Sequence, residues 1–366
     1  MNTGNTRTRL YRTTGLLILL TLYMLAAPAQ AANKYWSGTG TWNTGNVNWG
    51  TSPGGPYNTA TFSSGDDAFF EGTGSFTITQ SGNNAPNSIT CSSGTYQTSN
   101  YGQNNNPTIS FSGTSATITA IAGGTLSANL WIDAKVLMVG GDGTVNVYLP
   151  WSTQSPYGVT KNDASVLNLY CKRDDPGNQI NGPIIINGGT LKLGTYGYPL
   201  IASASTVSIA AGGTLDVSAY ASTYTLDNDA TLSASGTGIT IASNAAAING
   251  GEIINLRSRP ISLTFTPTGF SGDTTHPSLY ISQGSLTLNN NTITVNNAAA
   301  APLRGGVYRL IQVGDGSTGT ISGAFTNAVP IITGAGIAPG ASISVSVSSG
   351  NLILTVRQLG TVITIL

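Results

Sequence analysis

The chain has 366 residues, of which 40% are hydrophobic and only 8% are charged. Basic and acidic residues number 14 each, so the net charge is zero and the composition excludes the basic footprint of a nucleic-acid-binding protein. A single histidine excludes a histidine-rich metal site, and we assign no metal, no cofactor and no catalytic residue from the sequence.

The N-terminus has the features of an export signal. Three arginines precede the apolar run Leu16–Leu25, and Ala29-Gln30-Ala31 offers small residues for cleavage. We therefore expect residues 1–31 to be a signal peptide and the mature chain to be secreted or displayed on the outer cell surface, with the periplasm as the alternative. No later apolar run approaches the roughly 20 residues of a membrane span, so we expect no integral span after signal removal.

Aromatic residues crowd the next segment, residues 32–100. Trp36, Trp42 and Trp49 lie close together there, and a stack of repeats needs an apolar cover for its first coil. We expect this segment to be an N-terminal cap.

Residues 101–300 are expected to hold the repeats. Ile121–Leu126, Ile186–Leu191 and Ala210–Leu215 all end in Gly-Gly-Thr-Leu, and the last two are 24 residues apart. Alternating residues follow each Gly-Gly pair, which predicts a tight corner and then a strand. The predicted interior residues are Leu191, Leu193, Leu215 and Val217, and the predicted corners are Gly123, Gly124, Gly188, Gly189, Gly212 and Gly213.

Short alternating patterns recur from Phe76 to Val347, with Gly, Asn or Ser between them and no helical pattern. An all-β parallel β-helix explains these patterns best. Immunoglobulin-like sandwiches also have short alternating strands, but they do not predict repeated Gly-Gly-Thr-Leu corners at this spacing. Cys91 and Cys171 are in phase with apolar neighbours, which favours buried thiols over a disulfide.

Three turn-rich segments interrupt the alternation and are predicted to be loops: Asn100–Pro107, Pro150–Pro156 and Lys172–Pro183. Aromatic residues in or beside such loops, next to Asn, Ser and Gly, suit neutral sugars by ring stacking and hydrogen bonding. The candidate glycan contacts are Tyr96, Tyr101, Trp151, Tyr157, Tyr196 and Tyr198, with Tyr220 and Tyr224 as further members of the group.

An enzymatic alternative is a polysaccharide lyase or glycoside hydrolase on the flank of the solenoid, which needs clustered carboxylates. The densest cluster is Lys172–Asp175. Asp227 and Asp229 would share one face of a strand, whereas the adjacent Asp66 and Asp67 would not. His276, the histidine that a Ser/His/Asp triad would need, lies in a turn-like sequence. We regard an enzyme as the less favoured reading.

The last segment, residues 301–366, is expected to close the β-structure. Leu352–Val356 and Thr361–Leu366 are apolar strand patterns with almost no charge. We expect the first to belong to the terminal coil and the second to be a strand through which the chain self-associates.

Motifs at both ends resemble one family. Tyr35–Trp42, Asn48-Trp49, Gly65–Phe70 and Ile89–Tyr96 look like the start, and Gly305–Ile311, Gly319–Gly323 and Gly350–Val356 look like the end, of bacterial autotransporter-associated β-strand repeat proteins. This resemblance implies an exported right-handed β-helix, surface-associated or secreted, with no catalytic residues. A C-terminal autotransporter barrel is not expected, since no aromatic girdles are visible.

The sequence therefore favours an exported structural or adhesive β-helix module that contacts neutral glycans at the cell surface or in the matrix. Its expected partners are extracellular polysaccharides or cell-surface components, and not nucleic acid.

Overall fold

The computed structural model describes residues 31–82, 84–102, 108–132, 135–149, 158–171, 180–194, 201, 204–219, 223–226, 231–235, 246–315, 319–325 and 329–358. Throughout these residues the protein is all-β, and no helix has the length and apolar character to cross a membrane. The described residues from Asn33 onward belong to one compact unit. The expected signal peptide, apart from Ala31, lies outside the described residues.

Two sheets make up the fold. Sheet 1 has 12 strands: β1 (Asn33–Trp36), β3 (Asp67–Phe70), β5 (Ser88–Cys91), β7 (Ser115–Ala120), β9 (Val136–Gly141), β11 (Val159–Lys161), β13 (Ile184–Ile186), β15 (Thr206–Ile209), β18 (Thr231–Ser235), β20 (Ile261–Phe265), β22 (Ile293–Asn297) and β25 (Ile331–Gly334). Sheet 2 has 15 strands: β2 (Gly40–Trp42), β4 (Ser75–Gln80), β6 (Thr95–Thr98), β8 (Thr125–Asn129), β10 (Thr144–Leu149), β12 (Val166–Cys171), β14 (Gly189–Leu193), β16 (Gly213–Asp216), β17 (Thr223–Thr225), β19 (Ala246–Asn255), β21 (Leu279–Thr287), β23 (Gly306–Val313), β24 (Ile321–Ser322), β26 (Ala341–Ser348) and β27 (Asn351–Gln358).

Consecutive strands alternate between the two sheets from β1 to β16. Each strand pairs in parallel with the strand of the same sheet in the next coil, as β10 pairs with β12 and β11 with β13. This arrangement is consistent with a β-solenoid, so the expectation of a parallel all-β stack is confirmed at that level. The pairing already begins between β1 and β3, which makes the N-terminal segment part of the stack.

The interior is built from rows of apolar side chains. Leu191 is in register with Leu167 on one side and with Leu215 on the other, and all three are at most 1% exposed. Leu193 and Val217 are also fully buried. The predicted interior positions are therefore confirmed, because successive coils cover the same face of each strand.

Each predicted Gly-Gly corner has one glycine in the left-handed region, as the sequence predicts: Gly123 at φ 80°, Gly189 at 61° and Gly212 at 78°. The positive φ falls on the first glycine of two pairs but on the second glycine of 188–189. The corner between β13 and β14 spans residues 187–188, whereas the corner between β15 and β16 spans residues 210–212. The first corner is one residue shorter, so its left-handed residue falls on the second glycine of the pair. The companion glycine lets the coils approach, since a Cβ on Gly124 would lie 2.5 Å from the Cys91 carbonyl oxygen.

The N-terminal coil is filled with aromatic rings. Trp36, Trp42 and Trp49 are at most 2% exposed, and the Trp42 ring lies 5.2 Å from Phe62 and 5.5 Å from Phe70. Residues 43–62 fold back along β1, where the Tyr35 amide donates to the Gly50 carbonyl oxygen at 3.0 Å. The three tryptophans therefore pack inside the first coils.

At the other end the pairing becomes antiparallel. β27 pairs with β23 on one side and with β26 on the other. The predicted strand Leu352–Val356 lies within β27, in the last part of sheet 2. The second predicted strand, Thr361–Leu366, lies outside the described residues.

The two edges of the stack carry different connections. From sheet 1 to sheet 2 the chain takes short corners, such as residues 121–124 and 187–188. From sheet 2 to sheet 1 it takes longer segments, such as residues 43–66. The predicted loops Asn100–Pro107, Pro150–Pro156 and Lys172–Pro183 lie wholly or mostly outside the described residues.

Replacing Leu191 with alanine should lower the free energy of unfolding by about 2–5 kcal/mol, because the cavity lies between two coils that cannot collapse onto it. Replacing the outward neighbour Thr190 with alanine is the matched control and should change it by no more than about 0.5 kcal/mol. Denaturant unfolding of both variants measures the difference. Equal effects of the two substitutions would contradict the assignment of inward and outward faces.

Candidate functional site

Tyr96 does not contact glycans in this fold, and that prediction is wrong. Its side chain is fully buried on the inner face of sheet 2, in register with Leu126. The ring packs 5.0 Å from Phe70, and the hydroxyl donates to the Glu71 carbonyl oxygen at 2.5 Å. Burial raises the pKa of Tyr96 to about 12. Tyr224 is likewise 2% exposed.

Tyr101 is the candidate aromatic that the structure places near a surface. It is half-buried beyond the end of β6, and its ring centroid lies 6.5 Å from that of Tyr148 on β10. Several other candidates lie outside the described residues: Trp151, Tyr157, Tyr196, Tyr198, Tyr220, Lys172–Asp175, Asp227 and Asp229.

The outer face of sheet 2 carries a continuous line of polar side chains, which we call the amide row. These side chains occupy one register position in six successive strands: Gln97, Ser127, Asn146, Asn168, Lys192 and Asp216. Neighbouring coils are about 4.8 Å apart, so side chains at one register position come within hydrogen-bonding reach. Sequence reasoning missed this row, although a polar residue two places after a Thr or Val near the start of each strand was a visible signal.

Hydrogen bonds connect the amide row along the stack. The Asn168 Nδ2 donates to Asn146 Oδ1 at 2.7 Å, and the Asn146 Nδ2 donates to Ser127 Oγ at 2.8 Å. Each asparagine amide has two donors and an oxygen with two lone pairs, so these bonds use only part of its capacity. Among contacts between described residues, the second N–H of Asn146 and of Asn168 has no partner, which leaves donors for a bound hydroxyl.

The last two of these six side chains form an ion pair. Lys192 Nζ lies 3.6 Å from Asp216 Oδ2, and Asp216 Oδ1 accepts hydrogen bonds from the amide and hydroxyl of Ser218. The Lys192 side chain is 43% exposed, so this pair contributes little to stability but leaves an ammonium donor at the surface.

Two further rows flank the amide row. On one side lies a row of five threonine hydroxyl groups that is interrupted by a valine: Thr95, Thr125, Thr144, Val166, Thr190 and Thr214. On the other side Tyr148 and Tyr170 are register partners. The Tyr170 ring extends over Gly194 in the next coil, where a Cβ would lie 2.0 Å from its Cδ1. Tyr170 is half-buried and Tyr148 is 5% exposed, so Tyr170 is the more accessible ring.

Lys161 is a buried cation that the sequence analysis did not single out. It points inward from β11, in register with Val139 and Ile186. Its ammonium group donates to the carbonyl oxygens of Asn162 at 2.6 Å, Asp163 at 3.1 Å and Gly188 at 3.1 Å. Burial lowers the pKa of Lys161 to about 8, and the charge of Asp163 opposes that shift. The group holds the corner between β11 and β12 against the next coil.

The histidine lies in a hydrogen-bonded turn. His276 Nδ1 is 3.0 Å from Asp273 Oδ2, and Asp273 also accepts hydrogen bonds from the amides of Thr268 and Thr275. Burial works against ionisation of Asp273, but the bonds from Thr275, Thr268 and His276 prevail and lower its pKa to about 2. The backbones of Asp273 and Tyr308 also form an isolated parallel β-bridge, which attaches this turn to β23.

The remaining candidate groups have structural partners. Asp66 accepts the Ser63 amide, and Asp67 accepts hydrogen bonds from Asn87 and Ser88. Cys91 is a buried free thiol whose pKa burial raises to about 11. In the part of the chain that the structure describes, no group of three or more His, Cys, Asp or Glu residues could hold a metal ion.

The lowered pKa of Lys161 predicts how stability changes with pH. The unfolded lysine titrates near 10.5 and the folded one near 8, so between these values the unfolded state binds more protons and stability rises with pH. The free energy of unfolding of the native chain, minus that of Lys161→Met, should increase by about 2–3 kcal/mol from pH 8 to pH 10.5. A flat difference would mean that the three carbonyl oxygens hold the lysine fully charged.

The chain matches no protein-family model, no curated protein and no solved structure. Among the described residues, the outer face of sheet 2 from β6 to β16 is the surface where hydroxyl, amide and aromatic groups occur together in register.

Proposed function

We propose that the protein is an exported structural and adhesive module that contacts neutral glycans through the outer face of sheet 2. The hydrogen-bonded amide row carries this proposal. Amide groups with unused donors, set at a regular spacing of about 4.8 Å, match a ligand that is itself a linear repeat of hydroxyl groups. The neighbouring Tyr170 ring adds a surface on which a sugar ring can stack.

The low charge of this face supports a neutral ligand. The ion pair that the described residues of this face form, Lys192 with Asp216, is internally balanced, so an acidic polysaccharide gains no net attraction from it. Hydroxyl and amide groups make hydrogen bonds to sugars at small individual gain, so affinity must come from many coils acting together. A stack of coils provides that repetition.

The sequence has the features of an exported protein and resembles one protein family. We propose that residues 1–31 are a signal peptide and that the chain is a relative of autotransporter-associated β-strand repeat proteins. A signal peptide would direct the chain to secretion or to display at the outer surface, where the glycans of a matrix or cell wall lie. Cell fractionation that finds the uncleaved chain only in the cytoplasm would overturn this part of the proposal.

We also propose the finer features of the fold. The solenoid is right-handed, because crossovers between parallel strands are right-handed in nearly all known cases. Residues 43–62 act as the N-terminal cap, and the antiparallel strands β26 and β27 act as the C-terminal one. Both protect strand edges that would otherwise pair with other chains.

The binding test uses soluble neutral polysaccharides, such as β-glucan, dextran and mannan, with the mature chain. At least one should bind, and Asn146→Ala/Asn168→Ala should weaken that binding about tenfold, equivalent to ~1.4 kcal/mol. Thr117→Ala/Thr160→Ala, on the half-buried outer face of sheet 1, is the matched control and should bind as the native chain does. Affinity electrophoresis measures all three proteins. The proposal is wrong if no polysaccharide binds, or if both double variants lose binding equally.

A further inference from the structure

The antiparallel end of sheet 2 has one long strand edge that no described strand covers. Along one side β26 pairs with β27, and within the described part of the chain no strand lies on its other side. The register with β27 runs without a break from Ala341 opposite Gln358 to Ser348 opposite Asn351. The two strands cover the edge of β23, but the outer edge of β26 presents its own backbone N–H and C=O groups.

This edge lacks the features that keep an exposed strand from pairing with another chain, which are charged side chains, proline, bulges and short length. β26 has eight residues, Ala-Ser-Ile-Ser-Val-Ser-Val-Ser, with no proline and no charge, and its pairing with β27 has no bulge. At the other end of the stack β1 is covered, because Tyr35 and Gly50 exchange backbone hydrogen bonds at 3.0 and 2.8 Å. The outer edge of β26 is therefore suited to accept a further strand.

The apolar side chains of β26 are only partly covered within one chain. Ile343, Val345 and Val347 share one face of the strand, since side chains alternate between faces. Val345 is fully buried, Ile343 is half-buried and Val347 is 37% exposed. The register partner of Val347 on β27, Leu352, is fully buried, so the exposed surface of Val347 lies on the side of the open edge.

The order of residues in β26 matches a second copy of the same strand. A two-fold axis at Val345 relates two antiparallel strands so that Ile343 lies opposite the partner's Val347. On the other face Ser344 lies opposite the partner's Ser346, where hydroxyl groups can hydrogen-bond across the strands. From Ser342 to Ser348 every apolar residue thus meets an apolar residue and every serine meets a serine.

Charge does not oppose this pairing, and its size indicates a weak dimer. The single charged residue of β26 and β27 is Arg357, in register with Ser342. In the two-fold arrangement the two Arg357 positions are roughly 20 Å apart along the strands, which exceeds the Debye length of about 8 Å in physiological salt. Eight residues from each copy are fewer than the roughly 20–30 of a standard stable interface.

We propose that two copies of the chain associate by antiparallel pairing of β26 with β26, centred on Val345. Sheet 2 then continues from one copy into the other. Because the two-fold axis is perpendicular to the sheet, the outer faces of both copies lie on the same side of the dimer. The pairing strand differs from the one that the sequence predicted for self-association, Thr361–Leu366.

Sedimentation equilibrium of the mature chain tests this proposal. The native chain should dimerise with a Kd between about 10 μM and 1 mM, as expected of an interface of this size. Ser344→Lys/Ser346→Lys places like charges directly opposite each other in both serine pairs and should raise the Kd at least about tenfold. Ser344→Lys/Ser346→Glu places opposite charges there and should dimerise at least as well as the native chain.

Two outward serines in the middle of sheet 1 provide the matched control. Ser208→Lys/Ser262→Lys adds the same charge far from β26 and should dimerise as the native chain does. Equal midpoints of denaturant unfolding in dilute solution show that all variants are folded.

Three results would overturn the proposal. The native chain could remain monomeric up to about 1 mM, beyond the affinity expected of a weak dimer. The native chain and Ser344→Lys/Ser346→Lys could dimerise equally, which would assign the contact to another surface. Finally, Ser344→Lys/Ser346→Glu could dimerise no better than Ser344→Lys/Ser346→Lys, which would exclude a two-fold axis at Val345.

Discussion

Parallel in-register stacking is the constraint on which the rest of this chain depends. Each coil must return the backbone to a position about 4.8 Å above its starting point, so that every residue lies over its equivalent in the preceding coil. Apolar residues at one position then cover one another, as Leu167, Leu191 and Leu215 do. The glycine corners serve this constraint, because they turn the chain tightly and let one coil lie close against the next.

The same register that fills the interior organises the surface. Stacking places each outward side chain next to its register partner even where the contact itself is not stabilising, so a polar position becomes a row of polar groups. Where the residues are asparagines the row becomes a hydrogen-bonded chain, as between Asn146 and Asn168. A buried lysine is tolerated at Lys161 because three corner carbonyl oxygens converge on its ammonium group. Surface chemistry and interior packing are thus two results of one repeat.

Local sequence patterns predicted what depends on a single coil. Strand alternation identified Leu191 and Leu193 as interior residues, and the Gly-Gly pairs located three corners. Features that depend on the register between coils could not be predicted from the pattern of a single coil. Tyr96 was assigned to a loop surface because it follows Ser and Gly, yet it lies on the inner face, where Leu126 covers it. The amide row was missed for the same reason: each strand showed an outward polar residue, but Asn146 and Asn168 become neighbours only after the coils are stacked.

The most direct measurement of this account uses a metal bridge across two coils. Thr144 and Val166 are register partners on the outer face of sheet 2, so Thr144→His/Val166→His should place two imidazoles within reach of one Zn²⁺ ion. Added Zn²⁺ should raise the free energy of unfolding of the double variant by about 1–3 kcal/mol and should leave either single variant nearly unchanged. If the double variant gains no more from Zn²⁺ than the single variants do, the two coils are not stacked in this register.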